Sequence, residues 1–255
     1  MYSIAPGSSW VAWPKVSPQA RVRLFCLPYA GGGTAVFYKW PAYLPAEIEV
    51  CPIRLPGREG RRNEVAYTEL PPLVEALAEV VRAHCDIPFA LFGHSMGALV
   101  AFELARELRR QNGPGPVHLF VAAHRAPHLP DRDPPVHYLP ELQLLEALRH
   151  LDGTPEVLLQ NVEMRMLFLP VLRADFAVCE NYRYAPEPPL ECSMSAFGSA
   201  KDWKVPLTQL AAWRGHTRGP FALRIMPGNH FFVHTERVRL LQAISQDLAE
   251  VMQRG

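Results

Sequence analysis

One serine, set between two glycines, is the residue of this chain best suited to nucleophilic chemistry. Gly93-His94-Ser95-Met96-Gly97 matches G-x-S-x-G, with an apolar run before it and a helix-like run after it. In such a context a sharp strand-to-helix turn pushes the serine hydroxyl out of a sheet. Five letters are a weak indication by themselves, because a glycine-rich turn also holds a serine by chance. The pattern predicts a nucleophile only if a base and an acid accompany it.

The base that a serine nucleophile needs is most simply a histidine, because an unassisted hydroxyl is a poor nucleophile near neutral pH. On an α/β-hydrolase sheet the three residues follow in the chain order Ser, Asp or Glu, His. Among ten histidines, His230 lies directly after the last predicted strand, in "MPGNHFFVHTE", before a terminal helix. We predict His230 as the base, with His234 as the alternative at the entry of that helix.

The acid that orients the base is expected after a late strand. Asp202 lies in "MSAFGSAKDWKVP", on a loop at the carboxyl end of the penultimate predicted strand, where open parallel sheets place their sites. Asp175, in "LRADFAVCE", is the alternative. It lies within a helical insert, where its expected role is to join the insert to the body through a polar or charge pair. We therefore predict Asp202 as the acid.

An oxyanion formed on the substrate needs preorganised hydrogen-bond donors. The backbone N–H of Met96, which opens the helix after the serine, is predicted as one donor. The loop after the first strand, "LPYAGGGTAVF", contains three glycines that let the backbone approach a substrate closely. The N–H of Ala30 is predicted as the second donor, with Tyr29 as the alternative.

The elements that must position these residues alternate between strand and helix. Apolar runs predict strands at 21–28, 47–56, 87–93, 116–123, 190–198 and 221–228. Helical spacing predicts helices over 70–85, after Ser95 as far as a capping Gly113, and over 235–253. This alternation favours the α/β class, with a mostly parallel, doubly wound sheet in one domain over residues 1–255.

The stretch 130–187 interrupts this alternation, since it has helical segments and no predicted strand. We predict a helical lid set over one edge of the sheet; the alternative is a second packing layer with no role at the site. Apolar residues of the insert either line an acyl channel or pack among themselves, and helical spacing favours packing for each of them. They are Leu144, Leu145, Met164, Met166 and Phe168.

Composition excludes several other classes of protein. The 255 residues are 49% hydrophobic and 20% charged, with a formal net charge of +1, so nothing favours binding to nucleic acid or to a membrane. No apolar run approaches the roughly 18 residues that cross a bilayer, and residues 1–18 lack the continuous apolar stretch of a signal peptide. Five scattered cysteines without a C-x-x-C pair indicate a reduced compartment, and we expect a cytoplasmic protein.

Several longer segments resemble one known family, the type II thioesterases that accompany modular polyketide and nonribosomal peptide synthetases. The resemblance runs from about Arg21 to the C-terminus. It rests on "RLFCLPYAGGGTAVFYKW", "IRLPGREGRR", "LFGHSMGALVAFELA", "LPVLRADFAVCENYRY" and "GNHFF". It implies an α/β-hydrolase fold and hydrolysis of stalled or mis-primed acyl groups from the phosphopantetheine arm of carrier proteins. By position it implies Ser95, Asp202 and His230 as the triad, with oxyanion donors near Ala30 and at Met96.

Two local departures from the family accompany this resemblance. The acid loop reads "GSAKDWKV", with a single aspartate where relatives often have a denser acidic run, and Asn229 stands where a small residue is common. The resemblance implies acyl or peptidyl carrier domains as partners, and we expect a monomer. It implies no cofactor, because the phosphopantetheine belongs to the partner, and the sequence holds no motif for a metal or a nucleotide.

Other functions remain open at this point. The alternatives among enzymes are a medium-chain acyl-carrier thioesterase of a fatty acid synthase, a general carboxylesterase or lipase, and a terminal thioesterase domain cut from a megasynthase. Met1 and a short leader favour a free-standing protein over the last of these. The alternative outside enzymes is an inactive hydrolase fold that serves as a binding partner.

A local basic cluster also has two interpretations. It comprises Arg54, Arg58, Arg61 and Arg62, in "RLPGREGRR". The cluster either meets the phosphate of the arm or an acidic carrier helix, or it is a solvated loop whose arginines pair with Glu59 and Glu64.

Overall fold

The apolar runs form the strands of one parallel sheet in the computed structural model, which describes residues 10–131, 133–151, 153 and 156–254. The leader at residues 1–9 lies outside the described residues. Within the described part the strand order is β2-β1-β3-β4-β5-β6. The strands are β1 (Val22–Leu27), β2 (Ile48–Pro52), β3 (Phe89–His94), β4 (His118–Ala122), β5 (Ser193–Ser199) and β6 (Phe221–Met226).

Helices connect these strands, as the 3.6-residue periodicity predicts. They are α1 (Leu70–Arg82), α2 (Met96–Arg110), α3 (Glu141–Leu151), α4 (Glu156–Gln160), α5 (Val162–Glu180), α6 (Leu207–Ala211), α7 (Phe232–Thr235) and α8 (Arg237–Arg254). Short 3-10 turns occupy Thr34–Val36, Trp40–Ala42, Glu59–Arg61 and Ala212–His216. The parallel sheet with its covering helices confirms the predicted α/β class.

Alternate residues of the strands enter two separate cores, because successive side chains of a strand point to opposite faces. Phe25 and Leu27 of β1 pack with α1 and α2 on one face. Leu24 and Cys26 pack on the other face with the Trp40 segment and α8. Both faces of β1 and β3 are therefore covered, which is why these two strands read as nearly continuous apolar runs.

The order of the strands determines where the site lies. The chain moves outward from β1 to β2 and then returns to β3 on the other side of β1. At such a switch point the loops after neighbouring strands diverge and leave a crevice at their carboxyl ends. The loops that carry Ala30, Ser95, Asp202 and His230 follow β1, β3, β5 and β6, so all four residues lie at this edge.

Two predicted details of the helices are wrong. The left-handed residue that ends α2 is Asn112, with φ 52°, rather than Gly113. Gly113 N–H donates to Leu108 O at 2.8 Å and Asn112 N–H to Arg109 O at 3.0 Å, the pair of bonds of a Schellman cap. Asparagine tolerates this conformation because its short polar side chain bonds locally. His84 lies just beyond α1 rather than within it.

The segment between β4 and β5 contains α3, α4 and α5 and has a small apolar core of its own. Asn161 separates α4 from α5, because its side chain accepts the N–H of Met164 and caps α5. Of the five apolar residues of the insert named from the sequence, Leu144, Leu145 and Phe168 belong to this core. Within the described part of the chain, no helix combines the length and apolar character that a membrane span requires.

Candidate active site

The turn between β3 and α2 presents Ser95 in a strained backbone conformation. Ser95 has φ 54° and ψ −119°, a region that non-glycine residues rarely occupy. The flanking glycines are required by space: a Cβ at Gly93 would overlap with the carbonyl of Gly97, and a Cβ at Gly97 with the carbonyl of Leu27. The start of α2 therefore lies close against β3 and β1, and this sharp turn exposes the Ser95 hydroxyl at the sheet edge.

His230 joins the serine to a carboxylate. Its Nε2 lies 3.2 Å from Ser95 Oγ, and its Nδ1 lies 2.8 Å from Asp202 Oδ2. Because a carboxylate only accepts, Nδ1 carries the hydrogen and Nε2 is free to receive the serine proton. The Asp202 side chain is fully buried. Its other oxygen accepts the backbone N–H of Lys204 at 3.0 Å, which fixes its orientation.

The two alternative residues have other partners. His234 Nε2 lies 2.9 Å from the Tyr29 hydroxyl, and burial lowers the pKa of His234. Asp175 forms a buried ion pair with Arg58, at 2.6 Å between Oδ1 and Nη2. This pair joins the helical insert to the body, as the sequence predicts for Asp175. The structure thus brings Ser95, His230 and Asp202 together.

The two predicted oxyanion donors lie at the same cavity as Ser95 and His230. Met96 opens α2, so its N–H is one of the amides that a helix leaves without an internal partner. Ala30 follows β1 in a turn in which Gly32 N–H donates to Tyr29 O at 2.8 Å. Neither Ala30 N–H nor Met96 N–H donates to an acceptor in the described residues, so both remain available to a substrate oxygen.

A cavity of about 460 Å³ opens at the serine, a size typical of small-molecule sites. Ala147 and Leu151 of α3 and Phe176 of α5 line it together with Ala123 and Trp203. Packing, the interpretation that helical spacing favours, is confirmed for Leu144, Leu145 and Phe168, and none of the five apolar insert residues lines this cavity. Leu144 and Leu145 are buried in the core of the insert, while Met164 and Met166 are 40% and 74% exposed. Neighbouring positions on the same helices face the cavity instead.

Two histidines at the site were not predicted from the sequence. His94, next to the nucleophile, is fully buried and its ring contacts those of Tyr29, His230 and Phe232. Burial lowers the pKa of His94 well below its usual value, so the ring is neutral beside the base. His124 lines the cavity, and burial lowers its pKa to about 4. The available signal was their position, His94 at the carboxyl end of β3 and His124 just beyond β4.

A second Ser-His-Asp group lies elsewhere and lacks the geometry of a triad. Ser195 Oγ donates to Asp247 Oδ2 at 2.7 Å and lies 3.0 Å from His118 Nε2. The carboxylate therefore binds the serine instead of orienting the histidine, and Arg224 pairs with that carboxylate. Ser195 is fully buried in β5. We interpret this group as a structural link between the sheet and α8.

The arginine cluster is largely paired within the chain. Arg61 pairs with Glu64 and Arg54 with Glu59, the pairings that the solvated-loop interpretation predicts. Arg61 is buried rather than solvated. Arg58 differs, because its partner is Asp175 of α5, which sequence spacing could not reveal. Within the described residues, no group of three or more His, Cys, Asp or Glu side chains is arranged to hold a metal ion.

Comparisons with known proteins agree with this geometry. The profile of the Thioesterase domain family matches residues 22–248. The gramicidin S biosynthesis protein GrsT of Aneurinibacillus migulanus is 44% identical over 252 residues, which is 99% of this chain and 98% of that protein. RedJ, a thioesterase of the prodiginine pathway of Streptomyces coelicolor, has a solved structure that is 43% identical in sequence with a TM-score of 0.83, over 89% of this chain and 85% of that one.

A third similar structure is the type II thioesterase BorB of the borrelidin biosynthetic cluster, 36% identical with a TM-score of 0.84, over 93% of this chain and 96% of that one. A relative from fatty acid synthesis is more distant. The human medium-chain S-acyl fatty acid synthase thioesterase is 32% identical over 225 residues, which is 85% of this chain and 83% of that protein.

Proposed function

The chain belongs to the Thioesterase domain family, and from that premise we propose that Ser95, His230 and Asp202 cleave acyl groups from the phosphopantetheine arm of synthetase carrier proteins. The protein is a thioester hydrolase with type II thioesterases of biosynthetic clusters among its structural neighbours. The observation that carries the proposal is the bridge from Ser95 through His230 to buried Asp202 at the mouth of a cavity.

The first half of the reaction transfers the acyl group to the enzyme. His230 Nε2 takes the proton of Ser95 Oγ as the oxygen attacks the thioester carbonyl. The N–H groups of Ala30 and Met96 stabilise the negative charge on the carbonyl oxygen. The C–S bond then breaks, the pantetheine sulfur leaves with the bonding electron pair, and the proton held by His230 passes to that sulfur, which leaves His230 neutral and the pantetheine as a free thiol. A thiol with a pKa of about 8.5 is a good leaving group, so it needs less proton transfer from His230 than an amine would.

The second half returns the enzyme to its starting state. His230 takes a proton from water, whose oxygen attacks the acyl-serine carbonyl, and the same two amides stabilise the second oxyanion. The proton then passes to Ser95 Oγ as the acid product leaves. Asp202 holds the imidazole in the required tautomer and stabilises the imidazolium in both halves. Besides the substrate, this scheme uses three side chains, two backbone amides and one water.

Carrier-bound substrates distinguish this proposal from an esterase. The similar structures RedJ and BorB are thioesterases of prodiginine and borrelidin biosynthesis, and the similar protein GrsT belongs to gramicidin S biosynthesis. Their association with such pathways supports an editing role that removes stalled acyl units. We propose that α3–α5 are the lid, since Ala147, Leu151 and Phe176 line the cavity.

We also propose a cytoplasmic monomer, in keeping with five free cysteines; size-exclusion chromatography with light scattering tests the monomer.

The test compares acetyl and longer acyl groups on a phosphopantetheinylated carrier protein with free esters of the same acids. We expect the carrier thioesters to have the higher kcat/KM, and Ser95→Ala to abolish turnover. Ser195→Ala is the matched control, because it removes the serine of the buried group and should leave kcat within about 3-fold. Faster hydrolysis of free esters would favour a carboxylesterase, and a strong preference for medium chains would favour fatty acid release. Binding of a carrier without turnover would indicate an inactive fold.

A further inference from the structure

A buried carboxylate of the helical insert contacts the loop that holds Ala30. Asp175 Oδ2 accepts the backbone N–H of Gly31 at 2.7 Å and a hydrogen from Arg58 Nη1 at 2.8 Å. Arg58 Nη1 also donates to Gly32 O at 2.8 Å. Asp175 is 3% and Arg58 is 9% exposed. One ion pair thus binds both a donor and an acceptor of the glycine loop.

These bonds determine the orientation of the turn Tyr29–Gly32. Gly32 N–H donates to Tyr29 O, and Gly31 has φ 76°, as the third position of a type II turn requires. Types I and II differ by a flip of the central peptide, which here joins Ala30 to Gly31. Because Asp175 binds the N–H of that peptide, it selects one of the two orientations and so restrains the backbone on the carboxyl side of Ala30, whose own N–H belongs to the preceding peptide.

The packing of α5 supports the same contact. Asp175 and Leu172 lie one turn apart on α5, and a Cβ at Gly31 would lie 2.8 Å from Leu172 Cδ1. The helix therefore touches the loop through an apolar contact and a charged one on the same face. A buried charge is costly without its partner, and the Arg58 guanidinium supplies that partner to the buried Asp175 carboxylate.

We propose that Asp175 and Arg58 are positioning residues for the oxyanion site, through which α5 of the insert holds the Ala30 amide in place. The inference rests on the proposed function, in which Ala30 N–H is an oxyanion donor. Preorganised donors stabilise the transition state far more than the bound substrate, and small misplacements reduce the rate steeply. Loss of the ion pair should therefore lower kcat and leave KM nearly unchanged.

The first measurement is steady-state kinetics on acyl-carrier thioesters. Asp175→Ala should lower kcat by about 10- to 100-fold, less than the 100- to 1,000-fold typical of removing a donor outright, with KM within about 3-fold. Asp175→Asn should recover part of the rate, because its amide oxygen still accepts the Gly31 N–H. Arg58→Lys keeps the positive charge without the two-pronged geometry of the guanidinium. Its kcat should lie between that of the unaltered protein and that of Asp175→Ala. If Asp175→Ala does not fold, these two variants carry the test.

The matched control is Glu103→Gln, which weakens another buried carboxylate–arginine pair, with Arg106. It should lose thermal stability and keep kcat within about 2-fold once corrected for the folded fraction. If the role of Asp175 were merely structural, the Asp175 variants would likewise lose thermal stability and keep their kcat. An unchanged kcat for the Asp175 variants, or a rise in KM alone, would overturn the inference.

The second measurement separates oxyanion binding from substrate binding. A trifluoromethyl ketone analogue of the thioester forms an oxyanion with Ser95, whereas a thioether analogue cannot. Asp175→Ala should weaken binding of the ketone by about the factor lost in kcat, and binding of the thioether by less than about 3-fold. Equal weakening of both would overturn the inference. Full activity in Ser95→Ala would overturn the proposed function itself, whereas an inactive Ser95→Ala beside a normal Asp175→Ala would overturn this inference alone.

Discussion

At the scale of single residues, the hydrogen-bond partner of each histidine determines what that histidine can do. His230 and His234 are four positions apart, yet one ring lies between a carboxylate and the serine and the other against the Tyr29 hydroxyl. A base needs a partner that holds its tautomer and an open nitrogen toward the nucleophile. Of these two rings, His230 has both.

Replacement of each ring by glutamine tests this assignment. His230→Gln should lower kcat by about 1,000-fold or more, because the proton acceptor is lost. His234→Gln should keep kcat within about 3-fold, since the amide can still bond to the Tyr29 hydroxyl. Single-turnover hydrolysis of an acyl-carrier thioester measures both. The reverse order of effects would identify His234 as the base.

At the scale of secondary-structure elements, the backbones at the turn between β3 and α2 approach each other so closely that no side chains pack between them. The carbonyl of Leu27, at the end of β1, occupies the space that a side chain at Gly97 would need. The start of α2 therefore lies directly against β1, which brings the Met96 amide toward the loop of Ala30. Glycine at both flanks of the serine is a requirement of this contact as well as of the turn.

Alanine substitution at Gly97 should accordingly destabilise the protein. The new Cβ would overlap with backbone rather than with a movable side chain, and we expect a loss of more than about 3 kcal/mol in the free energy of unfolding, at the upper end of overpacking effects. Gly215→Ala is the control, because a Cβ there meets nothing within 4 Å. Urea unfolding measures both variants. Equal stability of the two would contradict the close approach.

At the scale of the whole molecule, four buried histidines make stability depend on pH. Burial lowers the pKa of His118, His124 and His216 to about 4 and that of His94 well below its usual value. In the unfolded chain these rings titrate near pH 6.5. Between about pH 6.5 and 4 the unfolded state therefore binds more protons than the native state. As the pH decreases through this range, the free energy of the unfolded state falls relative to that of the native state.

The free energy of unfolding should thus be nearly independent of these rings above pH 7 and decrease as the pH falls below 6.5. Each proton difference contributes a slope of about 1.4 kcal/mol per pH unit. Urea unfolding at pH 8, 7, 6 and 5 measures the dependence. His118→Gln should make the slope shallower by about one proton. A flat profile from pH 7 to 5 would show that these rings titrate normally in the fold.

Much of the fold was predictable because its signals are local. Short apolar runs and helical periodicity predicted β1–β6, α1, α2 and α8 close to their observed bounds, and chain order pointed to Ser95, Asp202 and His230, which the structure brings together. The parts that were not predictable depend on distant contacts. Arg58 and Asp175 are 117 positions apart, and nothing in either neighbourhood indicates that they meet.

The insert shows the same limit for cavity lining. Leu144 and Ala147 lie on one helix, and only the structure shows that the first enters the core of the insert and the second faces the cavity. Helical spacing identifies which residues share a face without identifying what that face touches. In the same way the left-handed position after α2 was assigned to Gly113, the more common residue there, rather than Asn112.

The strained backbone of Ser95 has a consequence for how this protein can evolve. A serine with φ 54° costs on the order of 1–3 kcal/mol, and glycine would remove that cost. Loss of the nucleophile is therefore energetically downhill, and a single codon change could yield an inactive variant that folds more stably than its parent. Catalysis would then be the one property that keeps a serine at this position, because a glycine variant would lose the nucleophile and retain the rest of the fold.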